Sequence, residues 1–350
     1  MLAPLDIFDP SSYPTRRDED WKYSDLSRVL RSAPHRAAIY GNTPPTVLGN
    51  FVAYQLREEN SNELQAFSEN AKGKLALFIS EGGEDDDLPA PGVQWRSEMA
   101  IRAGDTLVLF ERYSGYDNYV SSTALDFVLG ENASLTRIVI LDEPAEAVSI
   151  RRSTVKTAPG ATFKQYVFST GAKFQRFETH VSHAGHGAHV ELNGAYLLKD
   201  KRHFDLTTRV THGEIDGTTA QLIKGLVRDS ATGVFQGRIL VERGADGTDA
   251  RMRHQALILN DGAHIRAKPE LEIYADDVQC AHGNTIGALD EEALFFAMSR
   301  GIPEDAARAM LTQAFVMPVA DLIEDEQVRE KVIDFLAQHV ERFGGSGHGL

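Results

Sequence analysis

The sequence is nearly free of cysteine and entirely free of long hydrophobic runs, and both absences restrict the class of protein. The single cysteine, Cys280, excludes a disulfide within the chain. A chain without disulfides suits a reducing compartment, so we expect a cytoplasmic protein. No apolar stretch approaches the roughly 20 residues that a transmembrane helix needs. We therefore expect no association with a membrane.

Positive charge is also scarce. The 350 residues include 36 Lys and Arg against 51 Asp and Glu, which gives a formal net charge of −15. A protein that binds nucleic acid needs a basic surface for the phosphates, so this composition argues against nucleic acid as a partner. Hydrophobic residues make up 42% of the chain, which is enough for a sizeable core.

Familiar catalytic motifs are missing as well. The sequence contains no GxxxxGK[ST] phosphate-binding loop, no GxSxG nucleophile elbow, no HExxH zinc helix and no dinucleotide-binding fingerprint. Each of these patterns places reactive groups on a defined local structure, and none of those structures is indicated here. We therefore predict that the protein is not an enzyme.

A regular series of short strands is present instead, from about residue 101 to residue 274. Strand midpoints 16–18 residues apart fall at Val190, Leu206, Leu222, Ile239 and Leu257. Strands of a sandwich are usually ~8–12 residues apart and joined by hairpin turns. Even spacing without intervening helices favours a coiled solenoid, in which each turn covers the strand edges of the one before. Periodicity alone favours the solenoid only modestly and leaves the sandwich open.

Cys280 and His282 lie two residues apart in a predicted strand, so both side chains should project from one face. A thiol and an imidazole can bind a metal, but a tetrahedral zinc site needs four donors, or three and a water. Either another chain supplies the remaining ligands, or the cysteine packs as a small hydrophobic residue. A catalytic dyad is disfavoured, because no third residue that would orient the histidine is evident.

Other histidines form a series at every third position: His180, His183, His186 and His189. Strand alternation sends them to two opposite sides, so a shared metal site would require a turn around Gly185 that brings the set together. Our default interpretation is a group of solvated turn histidines. His212, at the end of another predicted strand, is expected to be hydrogen-bonded within the fold rather than to act as a ligand.

The regions on either side of the strands differ in texture. Residues 1–100 are mixed and interrupted by prolines, with a predicted helix from Leu56 to Lys72, a strand from Leu75 to Ile79 and a solvated acidic loop from Glu81 to Asp87. Trp21 and Tyr23 either anchor the N-terminal segment to the main body or belong to a small helical cap.

Helical periodicity marks residues 281–343. We predict that Asp290 caps a first helix, that Gly301 ends it, and that Pro303 is the first residue of a second helix. The second helix has the apolar stripe Ala307, Met310, Leu311, Ala314 and Phe315, and a third has Val328, Val332, Phe335, Leu336 and Val340. The tail, 344–350, should be disordered. The predicted division is thus 1–100, 101–280, 281–343 and 344–350.

The segment around Cys280 resembles the C-terminal signature of the SufB/SufD family of iron–sulfur cluster assembly scaffolds. The matching positions are Lys268, Pro269, Leu271–Ile273, Asp276–Val278, Cys280, His282, Gly283, Thr285 and Gly287, and the likeness continues to Phe315. SufB-like chains are longer and have more cysteines, so this chain is most similar to SufD. Asn284 departs from the pattern, which more often has alanine there.

The resemblance implies a mainly β fold, with a right-handed parallel β-helix (solenoid) core between an N-terminal mixed region and a C-terminal helical region. It identifies His282 as the assembly histidine and Cys280 as the cysteine that usually precedes it. These residues would offer ligands to an iron–sulfur cluster that is transient and shared with the partner subunit. The isolated chain is expected to hold no cofactor stably.

The resemblance also implies two protein partners. A SufB-like homologue, or a second copy of the chain when isolated, would pair through a surface containing Leu271, Ile273, Val278, Cys280 and His282. A SufC-like ABC ATPase would dock on the helical region at Ala306, Met310, Leu311, Ala314 and Phe315.

Two alternatives stay open. A β-helix polysaccharide lyase or hydrolase would use the same fold, although a chain with 8% aromatic residues and 2 Trp offers few platforms for sugars. A homodimeric scaffold that acts without SufB is the other.

Overall fold

The computed structural model describes residues 5–31, 35–37, 46–48, 51–54, 73–81, 90–116 and 118–344. Eighteen strands lie within these ranges. In chain order they are β1 (His35–Ala37), β2 (Thr46–Leu48), β3 (Phe51–Tyr54), β4 (Gly73–Glu81), β5 (Ala90–Ile101), β6 (Thr106–Gly115), β7 (Val120–Leu129), β8 (Ser134–Leu141), β9 (Val148–Thr157), β10 (Thr162–Ser169), β11 (Phe174–His183), β12 (His189–Leu198), β13 (His203–His212), β14 (Thr218–Val227), β15 (Thr232–Val241), β16 (Thr248–Ile258), β17 (His264–Ile273) and β18 (Val278–Gly287).

Helices stand at both ends of this series. The described α-helices are α1 (Leu26–Arg31), α2 (Glu291–Ser299), α3 (Glu304–Ala320) and α4 (Glu326–Gly344), and two short 3-10 helices span Pro10–Ser12 and Glu19–Trp21. None of the helices in the described ranges is long and apolar enough to span a lipid bilayer.

Successive strands alternate between two sheets and form a parallel β-solenoid of about seven turns, which confirms the predicted fold class. Sheet A contains β1 and the odd-numbered strands β5 to β17, whereas sheet B contains β2, β3 and the even-numbered strands β4 to β18. Each strand of the coil pairs in parallel with the strand one turn away: Thr162 lies opposite Ser134 and His189. Within the described strands, β2 and β3 form the one antiparallel pair.

This topology explains the 16–18-residue spacing of the strand midpoints. Val190 lies on β12 in sheet B and Leu206 on β13 in sheet A, so one interval is half a turn. A full turn is about 29 residues, the distance from Leu206 to its register partner Phe235. The regular spacing in the sequence therefore results from a coil whose successive strands alternate between two sheets.

The lumen between the sheets is filled by one row of side chains from every strand. Leu192, Phe204, Leu206 and Phe235 are each at most 2% exposed, as expected for close-packed interior positions. A buried ion pair interrupts this apolar filling near its middle, where Arg137 Nε lies 2.6 Å from Glu111 Oε1.

The outer faces of the two sheets are covered by the terminal regions. Helices α3 and α4 pack on sheet B, since Val316 and Leu336 belong to one buried hydrophobic cluster with Tyr166 and Leu197. The apolar residues predicted for the stripe of α4 are all buried, as is Phe343, whereas His339, which was predicted at the same spacing, is half-buried; the buried predicted residues are Val328, Val332, Phe335, Leu336 and Val340. The two helices thereby shield apolar residues that point away from the lumen.

The N-terminal segment binds to the outer face of sheet A. Trp21 is buried, and its ring lies 4.1 Å from the Arg176 guanidinium. Arg176 also donates to the backbone carbonyl of Asp20 at 2.9 Å, and Glu19 pairs with Lys268 at 2.5 Å. The prediction that this segment is anchored to the main body is thus correct for Trp21.

The caps of the helical region agree with the sequence in two of three places. Asp290 accepts hydrogen bonds from the amides of Glu292 and Ala293 at 3.0 Å, and Gly301 follows α2 with a φ of +86°. Pro303 is the N-cap of α3 rather than its first residue, because its ψ is still extended and the helix begins at Glu304.

Several predictions concern the N-terminal region and the chain end. The strand from Leu75 to Ile79 is confirmed within β4. The predicted helix Leu56–Lys72, most of the acidic loop and residues 345–350 of the tail lie outside the described residues. Solenoid strands precede residue 101 and the last ends at Gly287. The four-part division of the chain remains a prediction.

Gly225 provides a direct test of lumen packing. A Cβ atom at this position would lie 2.1 Å from Cζ of Tyr196, whose side chain is fully buried. We expect Gly225→Ala to lower the free energy of unfolding by about 1–3 kcal/mol, the usual cost of overpacking. Gly283→Ala is the matched control, since no heavy atom lies within 4 Å of its Cβ position. Urea unfolding measures both, and equal stabilities would contradict the packing argument.

Candidate functional site

The last turn of the solenoid leaves the lumen open at one end. Strand β17 pairs with β15 and strand β18 with β16, and among the described strands nothing pairs with their other edges. The last-turn residues are accordingly more exposed than their partners in the turn before: Met252 is 2% exposed, whereas His282, which lies opposite it, is exposed.

Register places the predicted interface residues on this open end. Cys280 and His282 lie opposite the lumen residues Ala250 and Met252. In sheet A, Leu271 and Ile273 lie opposite Ile239 and Val241, which also belong to the lumen core, and Val278 packs against the same core. Because rows of side chains continue from turn to turn, all five point into the open lumen. We call Leu271, Ile273, Val278, Cys280 and His282 the end surface.

Cys280 and His282 differ in environment although they share a row. Cys280 is half-buried and packs against the lumen core. Burial raises the pKa of its thiol, a hydrogen bond to the backbone of Ala250 acts in the opposite direction, and the charge of Asp249 adds a smaller increase. The cysteine is therefore protonated at neutral pH, the form in which sulfur is a poor ligand. His282 is exposed to solvent.

These two residues are the donors that the end surface offers. Across the described part of the chain, no three His, Cys, Asp or Glu side chains are close enough together to hold a metal ion. The prediction that Cys280 and His282 lie on one face is correct, since both belong to β18 two positions apart. Whether they bind a cluster remains a proposal.

The sequence analysis did not predict the role of Asn284, which follows Cys280 and His282 on the lumen-facing side of β18. Asn284 Oδ1 lies 2.7 Å from Nδ1 of His254, a buried residue of the preceding turn. The two residues are 30 positions apart in sequence. The one indication in the sequence was that Asn284 stands where the family pattern more often has alanine. That difference draws attention to Asn284 but does not show that His254 is its partner.

The structure does not bring the four histidines of the series together. His180 pairs with Glu178 at 2.7 Å on the outside of the coil, and His186 pairs with Asp216 at 3.0 Å in an exposed turn. The expectation of solvated turn histidines is wrong for His183, because β11 extends through this residue and directs its ring into the lumen. There it is 1% exposed.

His183 stacks on His212, which was correctly predicted to be hydrogen-bonded within the fold. The ring centroids are 4.1 Å apart. Both Nε2 atoms contact the hydroxyl of Thr219, at 3.2 Å and 2.9 Å. Burial lowers the pKa of His183 to about 3 and that of His212 to about 4. Both rings are neutral at physiological pH.

A second candidate surface lies on the helical region. Within the predicted stripe of α3, Ala307 is buried, whereas Met310 and Ala314 are exposed, as is Ala306 of the predicted docking set. The stripe is therefore not one packing face, and the buried face instead consists of Ala307, Thr312, Val316, Val319 and Ala320. Leu311 and Phe315 are half-buried, and the Phe315 ring lies 4.4 Å from Lys224 Nζ.

The neighbouring helix α2 adds aromatic side chains to this exposed region. Phe295 is 73% exposed and Phe296 is 61% exposed. Together with Met298 and Met310, they form what we call the helical patch. Large apolar side chains concentrated in this way usually mark a surface that contacts another protein.

Comparison with known proteins assigns the chain to a family. Residues 87–315, about two thirds of the chain, match the model of the SufBD core domain of the SUF system for iron–sulfur cluster assembly. The chain belongs to the SufBD family, and within it the chain is SufD-like.

Individual relatives agree with this assignment. The chain is 27% identical to the iron–sulfur cluster assembly protein SufD of Escherichia coli over 77% of its own length and 64% of the relative. It is 28% identical to a chloroplastic protein of Arabidopsis thaliana, over 73% of its length and 55% of the relative. It is 28% identical to a SufBD family protein of Mycobacterium bovis, over 97% of its own length and 92% of the relative. The chain thus spans less than two thirds of the first two relatives.

The buried histidines predict a pH dependence of stability. His183, His203, His212 and His254 have pKa values lowered to about 3 or 4 by burial, against about 6.5 in an unfolded chain. As the pH falls below 6.5, the unfolded chain takes up protons that the folded chain does not. The contribution of these histidines to the free energy of unfolding should therefore be fully present above pH 6.5. It should decrease between pH 6.5 and 4, by up to about 1.4 kcal/mol per pH unit for each histidine.

Urea unfolding between pH 7.5 and 5 measures this slope. His212→Gln should have a smaller slope than the parent chain, whereas His264→Gln, an exposed control, should not. An unchanged slope in His212→Gln would show that this buried imidazole does not contribute.

Proposed function

We propose that the chain is a non-catalytic scaffold subunit of a SufBCD-type iron–sulfur cluster assembly complex. The observation that carries the proposal is the end surface, where the lumen row of the last turn emerges and presents Cys280 and His282 beside uncovered strands. This surface lies within the residues that match the SufBD core domain. The proposal assigns the chain a binding and positioning role and no reaction of its own.

Pairing with a SufB-like homologue is supported by the uncovered strand edges and exposed apolar residues of the last turn. Strands β17 and β18 have one strand neighbour each in the described structure, and an uncovered strand edge is a template for another chain. Ile273 and Ile286 are each 42% exposed at this end. A subunit of the same solenoid fold can cover both the edges and the apolar residues. In the isolated chain, a second copy takes that place and forms a homodimer.

Cluster ligation is the proposed task of His282. Its exposed imidazole would donate a nitrogen lone pair to iron, while the SufB-like subunit supplies most of the other ligands. An imidazole in place of a thiolate is established iron–sulfur chemistry. The cluster is cargo that the two subunits share transiently. Cys280 is the weaker of the two ligands, because its raised pKa favours the protonated thiol.

Docking of a SufC-like ABC ATPase is proposed for the helical patch and the adjoining exposed residues of α3. Ala306, Met310 and Ala314 follow one another at four-residue intervals on the exposed side of that helix. Leu311 and Phe315 lie beside them at its half-buried margin. This surface faces away from the lumen, so an ATPase and a SufB-like subunit can bind the chain together.

The two alternatives are weaker for different reasons. Family membership favours cluster assembly over a polysaccharide lyase or hydrolase. A homodimeric scaffold without SufB would use the same end surface and is distinguished by which partner the chain prefers. A cytoplasmic location remains a prediction, and one relative is chloroplastic.

His282→Ala is the decisive test of the site. The variant should fold and bind both partners but lose most of the iron and sulfide in the anaerobically purified complex, because no neighbouring residue replaces the imidazole. Cys280→Ala should lose less. Gln279→Ala, exposed on the outward row of the same strand, is the control and should assemble normally. Full cluster loading of the His282→Ala complex would show that the histidine is not a ligand.

Met310→Glu tests the proposed docking surface. Met310 is 54% exposed, so the substitution should leave stability nearly unchanged and weaken ATPase binding by at least tenfold, since it places a charge in an apolar contact. The control is Ile215→Glu, at an apolar residue that is 44% exposed on the solenoid. Calorimetric titration with the ATPase measures both, and equal affinities would contradict this docking site.

A further inference from the structure

Three hydrogen-bonded side chains lead from the interior of the solenoid to the end surface. The hydroxyl of Tyr196 on β12 lies 2.9 Å from Nε2 of His254 on β16, and Nδ1 of His254 lies 2.7 Å from Oδ1 of Asn284 on β18. The path crosses β14 at Gly225, where the absence of a side chain leaves room for the tyrosine ring. We call Tyr196, His254 and Asn284 the lumen relay.

Burial fixes the protonation state along the lumen relay. His254 is 0% exposed and stacks on Phe235 with 4.9 Å between centroids and 10° between planes. Burial lowers the pKa of His254 to about 4, although its hydrogen bond to Asn284 acts in the opposite direction. Burial also raises the pKa of Tyr196. Both groups are therefore neutral at physiological pH.

These neutral states determine the direction of the hydrogen bonds. The Tyr196 hydroxyl keeps its proton and donates it to Nε2 of His254. The single imidazole proton then lies on Nδ1, which donates to the carbonyl oxygen of Asn284. The terminal strand is thereby held by a donor, His254, whose tautomer is set by Tyr196 two turns deeper in the lumen.

The position of Asn284 gives this hydrogen bond a particular consequence. Cys280, His282 and Asn284 occupy consecutive places in one lumen-facing row. Cys280 is held by packing against the core and Asn284 by His254, so the row is fixed on both sides of His282. Cys280 is also hydrogen-bonded to the backbone of Ala250, its register partner in the preceding turn.

We infer that Asn284, His254 and Tyr196 are positioning residues that set the height and direction of His282 at the open end of the solenoid. This inference rests on the proposed function, in which His282 is a cluster ligand. This edge strand is held by the backbone ladder to a single neighbour, β16, and the hydrogen bond from His254 adds a side-chain contact that restrains it further. A ligand that must meet a cluster held largely by another subunit needs a defined position.

The test compares three variants of the terminal strand and one of the interior. Asn284→Ala removes the acceptor, Asn284→Asp keeps it, and Thr285→Ala changes an exposed residue on the opposite face of the strand. Tyr196→Phe keeps the ring but removes the hydroxyl that sets the tautomer. Two quantities are measured: amide hydrogen exchange at His282 in the isolated chain, and iron and sulfide in the complex with the SufB-like and SufC-like proteins.

Asn284→Ala should accelerate exchange at His282 and lower cluster content, each about fivefold, which corresponds to the loss of one hydrogen bond of about 1 kcal/mol. Tyr196→Phe should change both in the same direction. Asn284→Asp and Thr285→Ala should behave like the parent chain, so that rescue by the aspartate separates the acceptor from a general effect on folding.

The outcomes separate the two proposals. Unchanged exchange in Asn284→Ala would overturn the positioning role, and so would faster exchange with full cluster loading. Full loading of the His282→Ala complex would instead refute the ligand role of His282. The exchange measurement would still decide whether the lumen relay holds the strand.

Discussion

The parallel register between successive turns is the constraint on which the rest of the structure depends. A strand in the coil obtains its backbone hydrogen bonds from the turn before and the turn after, and these bonds fix which residues face the lumen. Register at Met252 therefore decides the direction of His282 one turn later. The last turn has no following turn in the described structure, so its lumen-facing side chains, which are buried in the earlier turns, form a surface.

The same constraint assigns different tasks to different faces of the chain. Both sheets direct their second row of side chains outward, where apolar residues must be covered. Helices α3 and α4 cover sheet B, and the segment around Trp21 covers part of sheet A. Because α3 packs on the sheet with one side, Met310 is left exposed on the other, and Phe296 is exposed on the adjoining helix α2. The end surface and the helical patch thus lie on different elements, strands β17 and β18 for the first and helices α2 and α3 for the second.

Features encoded over short distances could be predicted from the sequence. The half-turn interval from Val190 to Leu206, the cap at Asp290 and the shared face of Cys280 and His282 all depend on residues close together in the chain. The burial of His183 and the exposure of Met310 could not be predicted in this way. A strand boundary shifted by a few residues moves a histidine from a turn into the lumen, and a helical stripe does not indicate which side will meet the sheet.

The sequence by itself determined a regular series of strands followed by helices, and the resemblance of the segment around His282 to the SufB/SufD family predicted that the strands form a parallel solenoid. Only the tertiary structure decided that Leu271 and Cys280, from two different sheets, lie on one open end, and that His254 holds Asn284. The physical reason is that a solenoid turn brings together residues about 30 positions apart. Those contacts depend on the pairing register of every successive turn in the coil, and a local pattern of residues does not specify that register.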